Sequence, residues 1–123
     1  MYIQMTDKLI QYILIRKDLI GTKQWSIGSM IAQGCHASVA AIATTLESEC
    51  TREYIADYLN MTKLVLAVED DIQLKDMADK LSNNNIPHHM WFEKPEDIPT
   101  ALATSPLPKS AVGLYFKHLK LLK

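Results

Sequence analysis

The 123-residue chain lacks most of what would announce a secreted, membrane-bound or polyanion-coating protein. Two cysteines, Cys35 and Cys50, are too few for a disulfide framework. On one continuous helix they would lie about 22 Å apart, too far to bridge. A reduced, cytoplasmic protein is therefore expected. No apolar run reaches the roughly 18 residues of a membrane span. The N-terminal "MYIQMTDKLIQYILIRKD" has no basic region leading to a small-residue cleavage site, so no signal peptide is expected. Neither sign of charge dominates: 13 Lys and Arg face 14 Asp and Glu, for a formal charge of −1. Any basic patch must then be local. There is no internal repeat, low-complexity tract or linker rich in Gly and Ser. The four histidines are scattered, with no Cys or carboxylate at ligand spacing, which argues against a metal site. A Gly-x-Ser-x-Gly elbow is missing too, which removes the case for a serine nucleophile.

What is present is apolar. Hydrophobic residues make up 48% of the chain, enough for one domain around one core. "LIQYILI" (9–15) is short and nearly continuous, as a strand buried on both faces would be. Ser26 is placed to cap a long helix running to about Glu49, and Thr51 to cap a shorter one. A second strand is expected over Thr62–Glu69. A helix with acidic residues in its first turn follows, ending at Asn83–Asn85 and Pro87. Further strands are expected at His88–Glu93 and Thr100–Ser105, joined by the acidic, proline-punctuated "EKPEDIP". "KSAVGLYFKHLKLL" reads as a closing helix and tail. Helices alternating with strands imply an α/β domain with a mixed sheet covered on both faces; a ferredoxin-like α+β arrangement is the competing architecture.

The long helix carries a polar line. Residues three and four apart share a helix face, so Ser29, Gln33 and His36 stack one turn apart. Alanines at 32, 37, 40, 41 and 43 let the same helix press closely on a sheet. One reading is a solvated stripe on a half-buried helix. The other is a polar border to a cleft at the strand ends, where open α/β sheets bind ligands. Cys35 points about 100° away from His36 and reads as core. Trp25 and Trp91 read either as core anchors or as stacking surfaces.

"ILIRKDL" followed by "AQGCHASVAAI" resembles the peptidyl-tRNA hydrolase family of archaeal and eukaryotic type. That family opens with a strand ending in Arg-x-Asp-Leu and continues into a helix bearing Ala-Gln-x-x-His-Ala. The matching residues are Arg16, Asp18, Leu19, Ala32, Gln33, His36 and Ala37. "TKLVLAVED" and the tail "KHLKLL" fall where the family has its second strand and closing segment. Trp25, "WFEKPEDI" and the following Pro-x-Pro are similar to a divergent branch, the peptidyl-tRNA hydrolase domain-containing proteins. The resemblance implies a single-domain α/β fold with a four-stranded mixed β-sheet and helices on both faces. It implies hydrolysis of the ester between a peptide and the terminal ribose of tRNA, with no metal and no organic cofactor.

Two departures bear on that chemistry. Where the family helix carries a lysine counted among its catalytic residues, this chain has Ser29; the nearest lysine is Lys23. The family's Gly-containing loop before the last strand is replaced by the shorter "EKPEDIPT". Glu93 stands where that loop has an Asp, and Asp97 or Thr100 where it has a Thr. Ester hydrolysis needs a proton acceptor for water and a stabiliser of charge on the carbonyl oxygen. His36 is the expected base or donor, Gln33 orients water or ester, and Asp18 holds the imidazole or pairs with Arg16. Glu93 and Asp97 complete the catalytic set. Arg16, Lys17, Lys23, Trp25, Ser29 and Thr100 are expected on the substrate side, with tRNA or peptidyl-tRNA as partner, no membrane contact, and a homodimer left open. The alternative is a family member without activity that binds tRNA or protein. A third reading is an enzyme acting on another ester.

Overall fold

The computed structural model describes residues 7–123; the first residues of the stretch read above as no signal peptide lie outside it. Eight residues, Leu9–Arg16, form β1, and every one after Leu9 is buried, as its continuous apolar run requires. Three helices follow: the single turn α1 (Asp18–Gly21), the long α2 (Ile27–Ala43) and α3 (Glu49–Ala56). Then come β2 (Lys63–Val68), α4 (Asp71–Asn83), and the strands β3 (His88–Glu93) and β4 (Ile98–Thr104). The chain closes with β5 (Leu107–Pro108), a one-turn α5 (Lys109–Val112), a 3-10 turn (Gly113–Phe116) and β6 (Lys120–Leu121).

The sheet is mixed, in the order β3-β4-β1-β2-β6, with β5 paired to the start of β1. β1 and β2 run parallel; β4 is antiparallel to both β1 and β3. The sheet has six strands, not four. The two additional strands are two residues each: β5 pairs Leu107 with Ile10, and β6 pairs Leu121 with Leu66. Backbone groups at both places find partners that a four-strand sheet would leave to solvent.

Helices do cover both faces. The side chains of Ile10, Tyr12 and Leu14 meet Leu74, Met77 and Leu81 of α4. Alternate residues of the same strand, Ile13 and Ile15, join Ala37 and Ala41 of α2 and Ala101 and Ala103 of β4. That second interface is built from short side chains. A Cβ on Gly34 would already sit 3.3 Å from Ile15 Cδ1.

Two expected helices come out shorter. Ser26 caps α2 by accepting from the Ser29 amide at 3.0 Å. The helix stops at Ala43: the Thr44 amide still donates to the Ala40 carbonyl, but the Thr45 amide turns to the Ile42 carbonyl at 3.1 Å, and the Thr45 hydroxyl takes the Ala41 carbonyl instead. Ser48, not Thr51, holds the N-cap position of α3; Thr51 is buried, 2.9 Å from the Thr45 hydroxyl. The closing helix expected at Lys109 lasts one turn. Phe116 is drawn onto the Tyr12 ring, with centroids 4.2 Å apart, and the tail pairs as β6. No helix among the described residues is long and apolar enough to cross a membrane.

One buried amide ties the layers together. Gln11, fully buried in β1, donates to the carbonyls of Ser38 (3.1 Å) and Thr104 (3.0 Å). Its oxygen accepts from Ser38 Oγ (2.7 Å) and Lys63 Nζ (2.6 Å). α2, β1, β2 and β4 thus share one side chain. Replacing it strands several buried partners, and an unsatisfied buried polar group costs about 1–3 kcal/mol. Gln11→Leu is expected to lower the unfolding free energy by roughly 2–4 kcal/mol, read from the midpoint of urea denaturation; a change within error of zero would show that these bonds are dispensable.

Candidate functional site

The carboxyl ends of β1 and β3 lie at the same end of the sheet, on either side of the start of β4 and beside the first half of α2. Gln33 is 1% exposed there. It is not sealed in hydrocarbon. Its amide nitrogen donates to Glu93 Oε2 at 3.1 Å, and its oxygen accepts from Thr100 Oγ1 at 2.8 Å. The other Glu93 oxygen accepts from the Trp91 indole N–H at 3.3 Å. On the solvent side His36 is exposed and lies flat against the Trp91 ring, with centroids 4.5 Å apart and planes within 19°. Thr100, Gln33, Glu93, Trp91 and His36 therefore form one continuous run of contacts. It links α2, β3 and β4.

The local sequence explains how each member is aimed. Glu93 ends β3, paired with Ile98, as the chain enters the turn over residues 94–97. Asp97 has φ of 60°, and its amide donates to the Glu93 carbonyl at 2.7 Å. Aspartate is among the residues that tolerate that left-handed conformation. Thr100 is the extra residue of a β-bulge: Trp91 pairs with Ala101 and Phe92 with Pro99, so Thr100 faces no partner. A bulge of this kind re-aims a side chain, and here the hydroxyl reaches α2.

The electrostatics follow from the donors. Glu93 is held below its ordinary carboxylate range, chiefly by the Gln33 hydrogen bond, then by the Trp91 hydrogen bond, with the nearby His36 ring adding in the same direction. It is a stabilised anion and a correspondingly weak base.

The remaining sequence candidates surround this run without all joining it. Asp18 is committed to Arg16, which donates from Nε to Oδ1 at 3.0 Å and from Nη2 to Oδ2 at 2.7 Å. Buried Arg16 also donates to the Pro99 carbonyl at 2.9 Å, pinning the end of β1 to the start of β4. Of the two roles read for Asp18, pairing with Arg16 is the one observed. Asp97 is exposed and pairs with Lys94. Lys17 pairs with Glu69 at 3.0 Å on the surface, and Lys23 is exposed. Half-buried Trp25 packs against the α2-side core. Ser29, half-buried, stands one turn before Gln33 on the same helix line.

Trp91 packs against the α2-side core, as its core-anchor reading has it, and in addition donates its indole N–H to Glu93 and stacks on His36. Its alternation with Glu93 on one strand was the available signal, since residues two apart share a face. Gln11 carries no local marker, because a buried amide in an apolar run reads as part of the strand.

Comparison with known proteins follows the same residues. A family profile described as "Peptidyl-tRNA hydrolase PTH2" matches residues 9–122. The chain is 40% identical over 116 residues to "Putative peptidyl-tRNA hydrolase PTRHD1" of Homo sapiens, covering 94% of this chain and 83% of that protein. It is 39% identical to the protein of the same name from Mus musculus, with the same coverage. It is 31% identical over 118 residues to "Probable peptidyl-tRNA hydrolase 2" of Dictyostelium discoideum, covering 90% of this chain and 53% of that protein. The strand ending in Arg16 with Asp18 just beyond it, the helix bearing Gln33 and His36, and the match along nearly the whole length together place the chain in the PTH2 family of peptidyl-tRNA hydrolases.

Proposed function

We propose that the chain is a peptidyl-tRNA hydrolase, cleaving the ester between a peptide and the terminal ribose of tRNA in the cytoplasm, with proton transfers assigned to side chains alone. The observation that carries the reading is the run from Thr100 through Gln33 and Glu93 to Trp91, set against an exposed imidazole at the strand ends in a chain of this family.

His36 has the role of general base. It is the member of the run that water and substrate can reach, and an imidazole can take a proton and return it to the leaving ribose oxygen. Glu93 stays ionised and steadies the positive ring formed when His36 takes up the proton. Gln33 and Trp91 are positioning residues: one orients the carboxylate, the other orients both carboxylate and ring. The Ser29 hydroxyl donates toward the ester oxygen, a weaker stabiliser than the lysine that the family places there. Lys17 and Lys23 lie at the same end of the fold, where phosphates of the acceptor stem would pass.

Single-turnover hydrolysis of a peptidyl-tRNA tests the assignment. His36→Ala is expected to lose about 10²–10⁴-fold in rate while substrate affinity is retained. Ser29→Lys is expected to raise the rate, since it restores a charged stabiliser. Tight tRNA binding with no turnover by the native chain would overturn the hydrolase reading in favour of a tRNA-binding module.

The ionisation of Glu93 has its own test. A carboxylate whose native pKa is lowered adds stability that is present above its unfolded value, about 4.3, and is lost as pH falls through the lowered native value. The melting temperature of Glu93→Gln should lie below that of the native chain at neutral pH, with the gap closing as pH falls through that window. A gap that does not change with pH would remove the charge from the account.

A further inference from the structure

α2 lies over β4, β3 and part of β1, and the same sheet face stays open toward β2. A trough of about 500 Å³ occupies that opening. Its floor is Ile13, Ile15 and Val65; its wall is Ile27, Ile31 and Val39 of α2. Those three wall residues are 69, 62 and 65% exposed. Contiguous apolar surface of this kind is what a ligand covers. The trough runs along the opposite side of α2 from the hydrolytic residues. Ile27, Ile31, Cys35 and Val39 repeat every four residues on one stripe, while Ser29, Gln33 and His36 occupy the other.

A cation marks one end of the trough. Lys63 pairs with Gln11 in the sheet register, two residues before the Val65–Ile13 pair of the floor. Its ammonium donates to Gln11 Oε1 at 2.6 Å, Ser38 Oγ at 3.2 Å and Tyr54 Oη at 3.4 Å. All three partners are neutral. Among the described residues no carboxylate forms an ion pair with it. Lys63 is an exposed residue whose ammonium is partly desolvated by the trough wall, which lowers its pKa; a bound anion would act in the opposite direction.

We infer that the trough binds a fatty-acid-like amphiphile, with its carboxylate at Lys63 and its hydrocarbon chain along Val65, Ile13 and Ile15 toward Ile27. The charge decides among occupants. A neutral hydrocarbon would bury the ammonium further without a counter-charge. A second copy of the chain would offer matching apolar surface but another uncompensated Lys63. The length suits an acyl chain: Gln11 to Ile15 spans roughly 13 Å of strand, and Ser38 back to Ile27 roughly 16 Å of helix.

Calorimetric titration of the full chain with decanoate, beside 1-decanol as its uncharged counterpart, tests this. Decanoate should saturate one site and bind at least about tenfold more tightly than decanol, a difference of roughly 1.4 kcal/mol. Lys63→Met should erase that preference by weakening decanoate alone. Ile31→Asp, at an exposed position, should abolish binding of both. Equal affinities in the native chain, a preference surviving Lys63→Met, or no saturable binding, whether or not sedimentation shows self-association that covers the trough, would each overturn the inference. Peptidyl-tRNA turnover by Lys63→Met should equal that of the native chain, so failure here and failure of the hydrolase reading are separately visible.

Discussion

The close approach of α2 to the sheet is the constraint on which the rest depends. It is made by what is missing from the interface: Ala37 and Ala41 on the helix, Ala101 and Ala103 on the strand, and no side chain at all on Gly34. Side chains of this size let the helix backbone sit low. Only then does the Gln33 amide span from β3, at Glu93, to β4, at Thr100. Glycine in a helix interior costs about 1 kcal/mol relative to alanine. Here the cost is offset by the packing of Ile15 against the space it leaves.

Hydrophobic contact alone would let such a smooth interface slide, because alanine faces have little relief. Two buried glutamines prevent it. Gln11 reaches up from the sheet to Ser38, and Gln33 reaches down from the helix to Glu93 and Thr100. The two locks meet α2 (Ile27–Ala43) at Gln33 and Ser38, on either side of its midpoint. Each amide is hydrogen-bonded at both its nitrogen and its oxygen, so a shift of the helix along the sheet would orphan buried polar groups. The proposed site inherits that rigidity: Glu93 is gripped by two donors, and His36 rests on a ring anchored by one of them.

The same helix presents opposite chemistry on its two sides. Toward β3 it offers an imidazole beside a stabilised carboxylate. Toward β2 it offers bare hydrocarbon ending at an ammonium with only neutral partners. The lysine that the family resemblance placed on the reactive side is a serine here, and the cation at Lys63 lies on the other side and does not replace it.

The sequence by itself determined the alternation of helices and strands, the Ser26 cap, the fully buried β1, the strand at His88–Glu93, and the alignment of Ser29, Gln33 and His36. These follow from periodicity and capping, which are local. The same alternation carried the mixed sheet covered on both faces, and the resemblance carried the family. Tertiary structure alone decided that Gln33 meets Glu93 sixty residues away and that a bulge turns Thr100 toward the helix. It also decided that the tail abandons its helix for Tyr12 and β2. No local pattern holds that information, because it depends on which strand lies under which turn of α2. That is settled by side-chain volume across an interface whose two halves are far apart in the chain.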